Sequence, residues 1–365
     1  MRVVYLADAP YIHTRRWVQH FARAGWDVHV ISFRPAEIEG ATVHYVHGFE
    51  RIGRARYLVH ARRVRRLVAS LEPDLLHAHH LTSYGFLAAL CDVHPTLVSV
   101  WGTDILEAPE WTPLHRRLTR FALARADHVT ATGLRLANAT LRYMPQAKPV
   151  TVVPYGVDLD RFPLRGAAAQ RVPVVGTVAR LSREKGLDVL VRAVAQLSSD
   201  GRTLRLLIVG DGPERRKLER LADQLGIGEL TEFRGEVPHG DVPAALAELD
   251  IFAMPSLAEG FGVAALEAAA TGLPVVASDV HGIPDVVEHL RTGLLVPPAN
   301  PAALAAALIK LLDDAALRQE LGTAGRAFVK EHYRWQDNAQ QMERLYQDLL
   351  QTFTEDRTHA TLPDS

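Results

Sequence analysis

Cysteine and long apolar runs are both scarce in this sequence of 365 residues. The single cysteine, Cys91, excludes a disulfide framework and is typical of a reducing cytoplasm. No apolar run approaches the length that spans a membrane, and the first predicted strand follows Met1 with no signal segment before it. An apolar content of 48% is enough for real cores. These features predict a cytoplasmic globular protein.

Lysine is also scarce in the first half, yet the two halves carry opposite charge. Residues 1–150 contain 18 Arg and 1 Lys against 12 Asp and Glu, a net charge of +7. Residues 151–365 contain 22 Lys and Arg against 30 Asp and Glu, a net charge of −8. This asymmetry predicts that the first half meets an anionic partner, either a membrane surface or an acidic acceptor. We expect no nucleic-acid partner.

The positive charge of the first half is concentrated in RIGRARYLVHARRVRRL, residues 51–67. Apolar side chains at Tyr57, Leu58, Val64 and Leu67 follow roughly helical spacing. A basic amphipathic helix of this kind can lie on an anionic bilayer. The pattern fits equally well a helix that packs on the sheet and exposes a solvated basic face.

Short apolar strands alternate with helices along the chain, which predicts an α/β fold of parallel sheets with helices on both faces. The length fits two domains, and we place their boundary in the Pro- and Gly-bearing linker. The predicted parts are an N-terminal domain at 1–165, a C-terminal domain at 166–334, a helix at 335–353 that crosses back to the first domain, and a disordered tail at 354–365.

The stretch MPSLAEGFGVAALEAAATG combines an apolar strand, a glycine turn and a helix of small residues. The turn at Gly260 and Gly262 would leave helix N–H groups and the positive end of the helix dipole available to an anion. Glu267, about a turn and a half further on, could reach hydroxyls of the molecule that carries the anion. The pattern predicts a nucleotide diphosphate with its ribose at Glu267. The alternative is an ordinary strand–turn–helix with one exposed Glu.

Two cations, Arg180 and Lys185, follow the predicted strand Val174–Val178 and project from its carboxyl end. Together they can bind a diphosphate, although a solvated surface loop is the simpler interpretation. Gly210 and Asp211 follow the next strand, where glycine permits a sharp turn and close approach of a ligand. A plain strand-ending turn explains Asp211 nearly as well.

Two patterns resemble metal-binding motifs but are better explained without a metal. Asp158 and Asp160 form a DxD inside the linker, away from any strand end at a cleft, which favours a linker turn. His77, His79 and His80 have no convincing set of Asp, Glu or Cys partners, and a metal site needs about three or four ligands. We therefore expect no metal.

The second half resembles the retaining glycosyltransferases of sequence family 4. The matching blocks are GTVARLSREKGLDVLVRA, LLIVGDGPERRKL, FRGEVP, MPSLAEGFGVAALEAAATGLPVVASDVHGIPDVV and GLLVPP. The resemblance covers residues 170–335 strongly and the first half more loosely. It implies the GT-B fold, with two Rossmann-like domains whose parallel sheets face each other across a central cleft. The first would take the acceptor and the second the nucleotide-sugar donor.

The same resemblance implies roles for individual residues. Arg180 and Lys185 would hold the leaving diphosphate, and Glu259 and Asp104 would complete the catalytic set by contacting the sugar. The remaining contacts implied are Glu267, Gly260, Phe261, Gly262, Val263, Gly210, Asp211, Val237 and Trp101 for the donor, and His13 and His79 on the acceptor side.

The chain departs from the family pattern at two loops. After the first strand, DAPYIHTRRW has no glycine where many members carry a glycine-rich loop, so we expect His13 or Arg15 to approach the diphosphate instead. In VSVWGTD, Trp101 stands where many members have a His that contacts the donor sugar. Trp offers one donor, no acceptor and a larger apolar face. We expect it to line the donor-sugar pocket, either by packing or by fitting a less polar sugar.

The sequence thus predicts a metal-independent retaining glycosyltransferase that moves a hexosyl unit from a nucleotide-diphosphate sugar to a hydroxyl acceptor. The expected setting is cell-surface polysaccharide, lipopolysaccharide or glycolipid synthesis, with a lipid-linked or saccharide acceptor and no cofactor. The basic segment Arg51–Arg66 would meet the inner face of the plasma membrane. The alternatives are a nucleotide-sugar epimerase of the same fold, or a non-catalytic protein that binds nucleotide-sugar or polysaccharide.

Overall fold

The computed structural model describes residues 1–47, 56–144, 148–166 and 172–360. Its contacts divide the chain into two compact units: Met1–Tyr155 together with the chain from Asp337 onward, and Gly156–Gln336. The division comes at Tyr155, earlier than the expected boundary near residue 165. The reason is that the linker bonds to the second unit: the Val157 N–H donates to the Tyr333 carbonyl at 2.8 Å.

The first unit is a seven-stranded parallel sheet in the order β3-β2-β1-β4-β5-β6-β7. Its central strands β4 and β5 are buried along their whole length, as expected of a sheet covered by helices on both faces. The strands are β1 Arg2–Leu6, β2 Asp27–Ser32, β3 Thr42–Tyr45, β4 Leu75–His79, β5 Thr96–Val100, β6 His128–Ala131 and β7 Val150–Val152. The helices are α1 Ile12–Arg23, α2 Arg56–Leu71, α3 Phe86–Cys91, α4 Thr103–Leu106, α5 Ala108–Trp111, α6 Pro113–Arg125 and α7 Leu134–Leu141.

The second unit repeats this architecture with a six-stranded parallel sheet in the order β10-β9-β8-β11-β12-β13. The strands are β8 Val174–Val178, β9 Arg205–Val209, β10 Thr231–Gly235, β11 Ile251–Met254, β12 Val275–Ser278 and β13 Gly293–Val296. The helices are α8 Leu187–Ser199, α9 Arg215–Gln224, α10 Val242–Ala247, α11 Val263–Ala270, α12 Ile283–Val286, α13 Pro301–Asp313 and α14 Ala315–His332.

Both sheets reverse their strand order at one place, between β1 and β4 in the first unit and between β8 and β11 in the second. Ligands of open parallel sheets bind outside the carboxyl ends of the strands at such a switch point. The loops that follow these four strands are therefore where each unit should place its functional side chains.

The last helix, α15 Trp335–Ala360, is anchored on the first unit through Tyr346. The fully buried Tyr346 hydroxyl lies 2.8 Å from the Tyr5 hydroxyl and 2.5 Å from His77 Nδ1. His77 Nε2 in turn lies 2.7 Å from the Ser99 hydroxyl, so this imidazole is a satisfied core group. The helix continues past residue 353, so the disordered tail expected from 354 is wrong as far as Ala360. Residues 361–365 lie outside the described chain.

Candidate active site

The switch point of the second sheet brings together the loops that follow β8 and β11. Gly186 has φ +59°, and a Cβ at this position would overlap the carbonyl oxygen of Pro255. The Glu184 carbonyl accepts the N–H groups of Leu257 and Ala258 at 2.8 and 3.2 Å. The loop that carries the predicted cations is thus fixed directly against the loop that carries Glu259.

Lys185 and Glu259, predicted from separate motifs, form an ion pair. Lys185 Nζ lies 2.6 Å from Glu259 Oε2, and the two side chains are 25% and 15% exposed. The Ser256 hydroxyl donates to the same carboxylate oxygen at 3.5 Å. A half-buried pair of this kind keeps each charge compensated, and an incoming diphosphate would compete with Glu259 for the ammonium group.

Arg180 is exposed at the end of β8, and no ion pair of its guanidinium occurs among the described residues. Its charge nonetheless affects the pKa of the nearby Glu184 carboxyl. Partial burial would raise the pKa of that carboxyl, but the Ser182 hydroxyl, Lys185 and Arg180 together lower it below the ordinary value. The loop therefore presents an available guanidinium beside an ammonium group that is already paired.

The EGFG turn is held in place by the loop after β12. A Cβ at Gly282 would overlap the Gly260 carbonyl oxygen, and the Gly282 N–H donates to the Glu259 carbonyl at 3.3 Å. Gly262, with φ +98°, directly precedes α11, so the first turn of that helix opens at the switch point. Phe261 is 2% exposed and packs against Tyr333, which means that only its backbone could touch a donor. Val263 is partly buried at the first position of α11.

Glu267 is buried among the alanines of α11, where it meets a residue that sequence reasoning missed. His239 Nε2 lies 2.9 Å from Glu267 Oε1. His239 opens a 3-10 turn, His239–Asp241, shortly after β10. His239 comes two residues after Val237, a predicted donor contact, but no local pattern pairs it with Glu267, 28 positions further on.

The other predicted donor contacts lie along the same edge. Gly210 has φ +131°, and a Cβ there would collide with the Ala179 carbonyl, so glycine is required to pack the β8 and β9 loops together. Asp211 accepts the Gly212 N–H at 2.6 Å and pairs with Arg215 at 3.1 Å. These bonds favour the structural interpretation of Asp211. Val237, which follows β10, is partly buried.

The DxD forms a turn. The Asp160 N–H donates to Asp158 Oδ1 at 3.3 Å, and the Arg161 N–H donates to the Asp158 carbonyl at 3.1 Å. In the described part of the chain, no group of three or more His, Cys, Asp or Glu side chains is arranged to hold a metal ion.

The corresponding edge of the first unit is aromatic. Trp101 is 8% exposed, and its ring centroid lies 4.3 Å from that of His79. His13, on α1, stacks on Tyr155 at 3.9 Å and 15°. Because α1 begins at Ile12, the loop without glycine is short and Tyr11 closes the cluster 5.6 Å from Trp101. Trp101 and the two predicted acceptor-side histidines thus share one cluster; Arg15 lies partly buried on α1.

His79 is fully buried, and its Nδ1 lies 3.2 Å from the Thr14 hydroxyl. Burial holds the pKa of His79 well below its ordinary value, and His77, His80 and His13 lower it further. His79 is therefore a neutral ring packed behind Trp101 rather than a surface group.

Asp104 has a structural role beside the catalytic one predicted. Its carboxylate accepts the backbone N–H groups of Leu81 and Gly102, each at 2.8 Å, and that of Trp101 at 3.1 Å. The residue is 3% exposed. These bonds make the carboxylate fix the Trp101 loop, and the predicted contact of Asp104 with the sugar stays a prediction.

His80, considered from the sequence only as a metal ligand, is a partly exposed histidine of this edge. It has φ +67°, an uncommon conformation for a residue other than glycine, and it begins a π-helix, His80–Gly85. The chain thus becomes helical directly after β4 ends at His79. The ring is 32% exposed, lies 5.0 Å from Trp101 and places Nδ1 3.9 Å from Asp104 Oδ2.

The basic segment is described only from α2 onward; Arg51 and Arg54 lie outside the described residues. In α2, Val64 and Val68 are fully buried in the core, as expected of a helix that packs on the sheet. The outer face exposes Leu58 and Val59, which are 61% and 55% exposed. Four arginines are also exposed there: Arg62, Arg63, Arg65 and Arg66. Of the helices described, none is long and apolar enough to cross a membrane.

Two family models match the chain. One, described as glycosyl transferases group 1, matches residues 164–328, and the other, glycosyl transferase 4-like, matches residues 2–133. The D-inositol 3-phosphate glycosyltransferase of Corynebacterium jeikeium is 33% identical over 304 residues, which are 76% of this chain and 72% of that protein. The chain belongs to the group 1 glycosyltransferases.

A further relative of this glycosyltransferase is the 2-deoxystreptamine glucosyltransferase of Streptomyces kanamyceticus, 35% identical over 233 residues; the match spans 60% of each chain. Among solved structures, sucrose-phosphate synthase from Thermosynechococcus elongatus has a TM-score of 0.85 at 24% identity, covering 96% of this chain and all 100% of that one. Anabaena HepE in complex with UDP-glucose has a TM-score of 0.80 at 20% identity, covering 95% and 100%. These likenesses confirm the GT-B fold.

Proposed function

We propose that this glycosyltransferase moves a hexosyl unit from a nucleotide-diphosphate sugar to a hydroxyl acceptor, with retention of anomeric configuration and without a metal. The observation that carries the proposal is the convergence of Arg180, Lys185 and the opening of α11 at the β8/β11 switch point, where Glu259 pairs with Lys185. Two cations and a helix start suit a diphosphate. The solved complex of HepE with UDP-glucose supports a donor of this class.

The strand order of the second sheet suggests where the base, the diphosphate and the sugar of such a donor would bind. The strand order β10-β9-β8-β11 places Val237 at one end and Glu259 at the other, with Arg180 and Lys185 between them. The base would lie toward Val237, the diphosphate at the two cations and the sugar at Glu259. Glu267, inside α11, would take the ribose hydroxyls.

In the reaction, the bond between the anomeric carbon and the leaving phosphate oxygen breaks, and the acceptor oxygen forms the new glycosidic bond. The acceptor proton passes to the departing diphosphate. Negative charge grows on the phosphate oxygens, so fixed cations there stabilise the transition state more than the ground state. The expected attack is on the face from which the diphosphate leaves. Glu259 would hold a hydroxyl of the sugar and orient its ring.

Purified protein incubated with a panel of UDP- and GDP-hexoses tests this proposal. We expect one donor to release its nucleoside diphosphate, and release to continue in excess EDTA, because the protein cations replace a metal. Proton NMR at early times should show the released or transferred sugar in the anomeric configuration of the donor.

Other outcomes would point elsewhere. An altered sugar that forms in place of a transferred one would favour the epimerase, and binding with no product would favour a non-catalytic protein. Loss of activity in EDTA and its recovery with Mg²⁺ would contradict the metal-independent mechanism and reopen the Asp158–Asp160 pair.

The outer face of α2 supports a membrane-bound acceptor on the cytoplasmic side, in glycolipid or cell-surface polysaccharide synthesis. Basic side chains near an anionic bilayer contribute about 1 kcal/mol each. Replacing Arg62, Arg63 and Arg66 together by Gln should therefore weaken co-sedimentation with anionic vesicles at low salt by at least about tenfold.

The matched control replaces three exposed arginines of the second unit, Arg192, Arg216 and Arg220, by Gln and should leave vesicle binding unchanged. Because salt screens these charges, binding should also fall as ionic strength rises. Equal binding of the wild type to anionic and neutral vesicles would exclude the membrane surface and favour a soluble acceptor.

A further inference from the structure

Glu267 is a carboxylate in a helix made otherwise of apolar residues, VAALEAAA. Its side chain is 10% exposed. A buried carboxylate is costly unless it is hydrogen-bonded, and the one described side chain that bonds to it is His239, at 2.9 Å. The conformation of the Glu267 carboxylate therefore depends on this imidazole.

The direction of the hydrogen bond is set by the chemistry of the two groups. A carboxylate only accepts, so His239 must donate from Nε2. Its other nitrogen, Nδ1, is buried with no partner among the described residues, which favours keeping the ring proton on Nε2. In the described structure, Glu267 Oε1 is occupied by this bond while no side chain or backbone group bonds to Oε2.

The ring of His239 is itself held from two sides. Its backbone opens a 3-10 turn closed by the Asp241 N–H, which donates to the Pro238 carbonyl at 2.8 Å. Phe162, 2% exposed, lies edge-on to the ring at 6.1 Å and 68°. Arg326 fixes Phe162 in turn by donating to its carbonyl at 3.0 Å. Such support is what keeps a functional group in one orientation.

We propose that His239 is a positioning residue for nucleotide recognition: it fixes the Glu267 carboxylate so that Oε2 faces the vicinal hydroxyls of the donor ribose. This inference rests on the proposed function, because it takes the ligand to be a nucleoside diphosphate. It adds a residue to the binding site and predicts that discrimination between ribose and deoxyribose depends on an imidazole that does not touch the ribose.

Isothermal titration calorimetry with UDP and 2′-deoxy-UDP, or with GDP and 2′-deoxy-GDP if guanine binds more tightly, tests the proposal. The wild type should prefer the ribonucleotide by about tenfold, the value expected of one hydrogen bond to a charged group. His239→Phe keeps a flat ring but donates nothing, so the preference should fall to within about twofold.

Two amide variants separate positioning from packing. The Gln side chain can place an N–H near the original Nε2, so His239→Gln should retain most of the preference. His239→Asn is too short to reach Glu267 and should lose the preference, and a cooperative thermal unfolding transition checks that this variant is still folded. As a control, His332→Phe removes an exposed imidazole elsewhere in the same unit and should leave both affinities unchanged.

The outcomes distinguish this inference from the proposed function. If the wild type binds neither ribonucleotide, the nucleotide site itself is wrong and the inference falls with it. If the wild type discriminates and the Phe and Asn variants discriminate equally well, the nucleotide site stands and His239 has no positioning role. Loss of the preference in Phe and Asn together with its retention in Gln supports the proposal.

Discussion

The two units have the same strand order around their switch points but present different chemistry there. The second unit builds its edge from charged side chains and glycine turns, with Lys185 and Glu259 only 2.6 Å apart. The first builds its edge from rings, with Trp101 packed between His79 and His80. Charges can hold an anion in a fixed place, whereas rings with polar edges can pack against a sugar. One topology thus carries two edges of different chemistry.

Glycine use follows the same division. In the second unit, Gly186, Gly210 and Gly282 each allow backbone to pack where a Cβ would overlap a carbonyl oxygen. In the first unit, the loop after β1 has no glycine, and α1 begins at Ile12. The second edge is therefore made of loops bonded to one another, and the first of side chains packed together. The three predictions that follow test this contrast.

The largest effect is expected from the cations of the second unit. Removing one charged contact to a developing anion costs about 2.7–4 kcal/mol of barrier. Arg180→Ala or Lys185→Ala should therefore lower turnover at least about a hundredfold in steady-state assays with the donor found active. The Lys185 variant should also leave Glu259 without its partner.

Arg183 provides the control, since it is an exposed arginine in the short 3-10 turn, Arg183–Lys185, that also contains Lys185. Arg183→Ala should stay within a few-fold of the wild-type rate. If Arg180→Ala and Lys185→Ala behave like this control, the diphosphate does not bind at the end of β8. The charged side chains of the second edge would then have no role in holding an anion.

Sequence reasoning succeeded where one local pattern decides a structure. Strand β8 was predicted with the bounds that the structure shows, because a short apolar run between turn residues allows one interpretation. The glycine turn before α11 could be predicted for the same reason. The placement of Lys185 and Glu259 along one edge follows from the parallel sheet that the alternating pattern implies, because each residue comes after the carboxyl end of a strand.

Contacts between residues far apart in the chain could not be predicted from the sequence. The Glu267–His239 bond spans 28 positions, and the link of Tyr346 to His77 spans 269. Two of the N–H groups that bond to Asp104, those of Trp101 and Gly102, are local, but the third belongs to Leu81, 23 positions away, and could not be predicted from VSVWGTD alone. Neither periodicity nor composition indicates such partners.

The next prediction concerns the ring edge and expects an effect of about tenfold. Trp101→His introduces a group that can both donate and accept a hydrogen bond, worth about 1–1.5 kcal/mol to a sugar hydroxyl. If Trp101 lines the donor-sugar pocket, this variant should shift relative kcat/KM between two donors of the panel by about tenfold while thermal stability changes little.

Asp104→Ala offers the contrasting case. It removes the acceptor of three buried N–H groups, so it should lower both turnover and the midpoint of thermal unfolding, as a loop-fixing residue would. An unchanged donor ranking and unchanged rates in Trp101→His would show that Trp101 does not line the pocket and that its match to the family histidine is mistaken.

The smallest expected effect concerns His80, whose backbone conformation is costly for any residue with a side chain. A left-handed conformation costs an L-residue roughly 1–2 kcal/mol, and glycine avoids that cost while losing about 0.5–1 kcal/mol through the entropy of the unfolded chain. His80→Gly should thus leave the free energy of unfolding unchanged or raise it by up to about 1 kcal/mol.

Strain of this kind persists at functional sites, and we hypothesise that the imidazole of His80 contacts substrate. Activity should then fall several-fold although stability does not. Ala299, with φ +54° in the exposed turn after β13, supplies the matched control. Ala299→Gly relieves the same kind of strain beside the outermost strand of its sheet rather than at a switch point, so it should raise stability without changing activity. Thermal unfolding and steady-state rates measured on the two glycine variants decide the matter. A fully active His80→Gly variant would mean that the strained histidine only starts the π-helix. Of the two rings tested at this edge, Trp101 alone would then remain a candidate substrate contact.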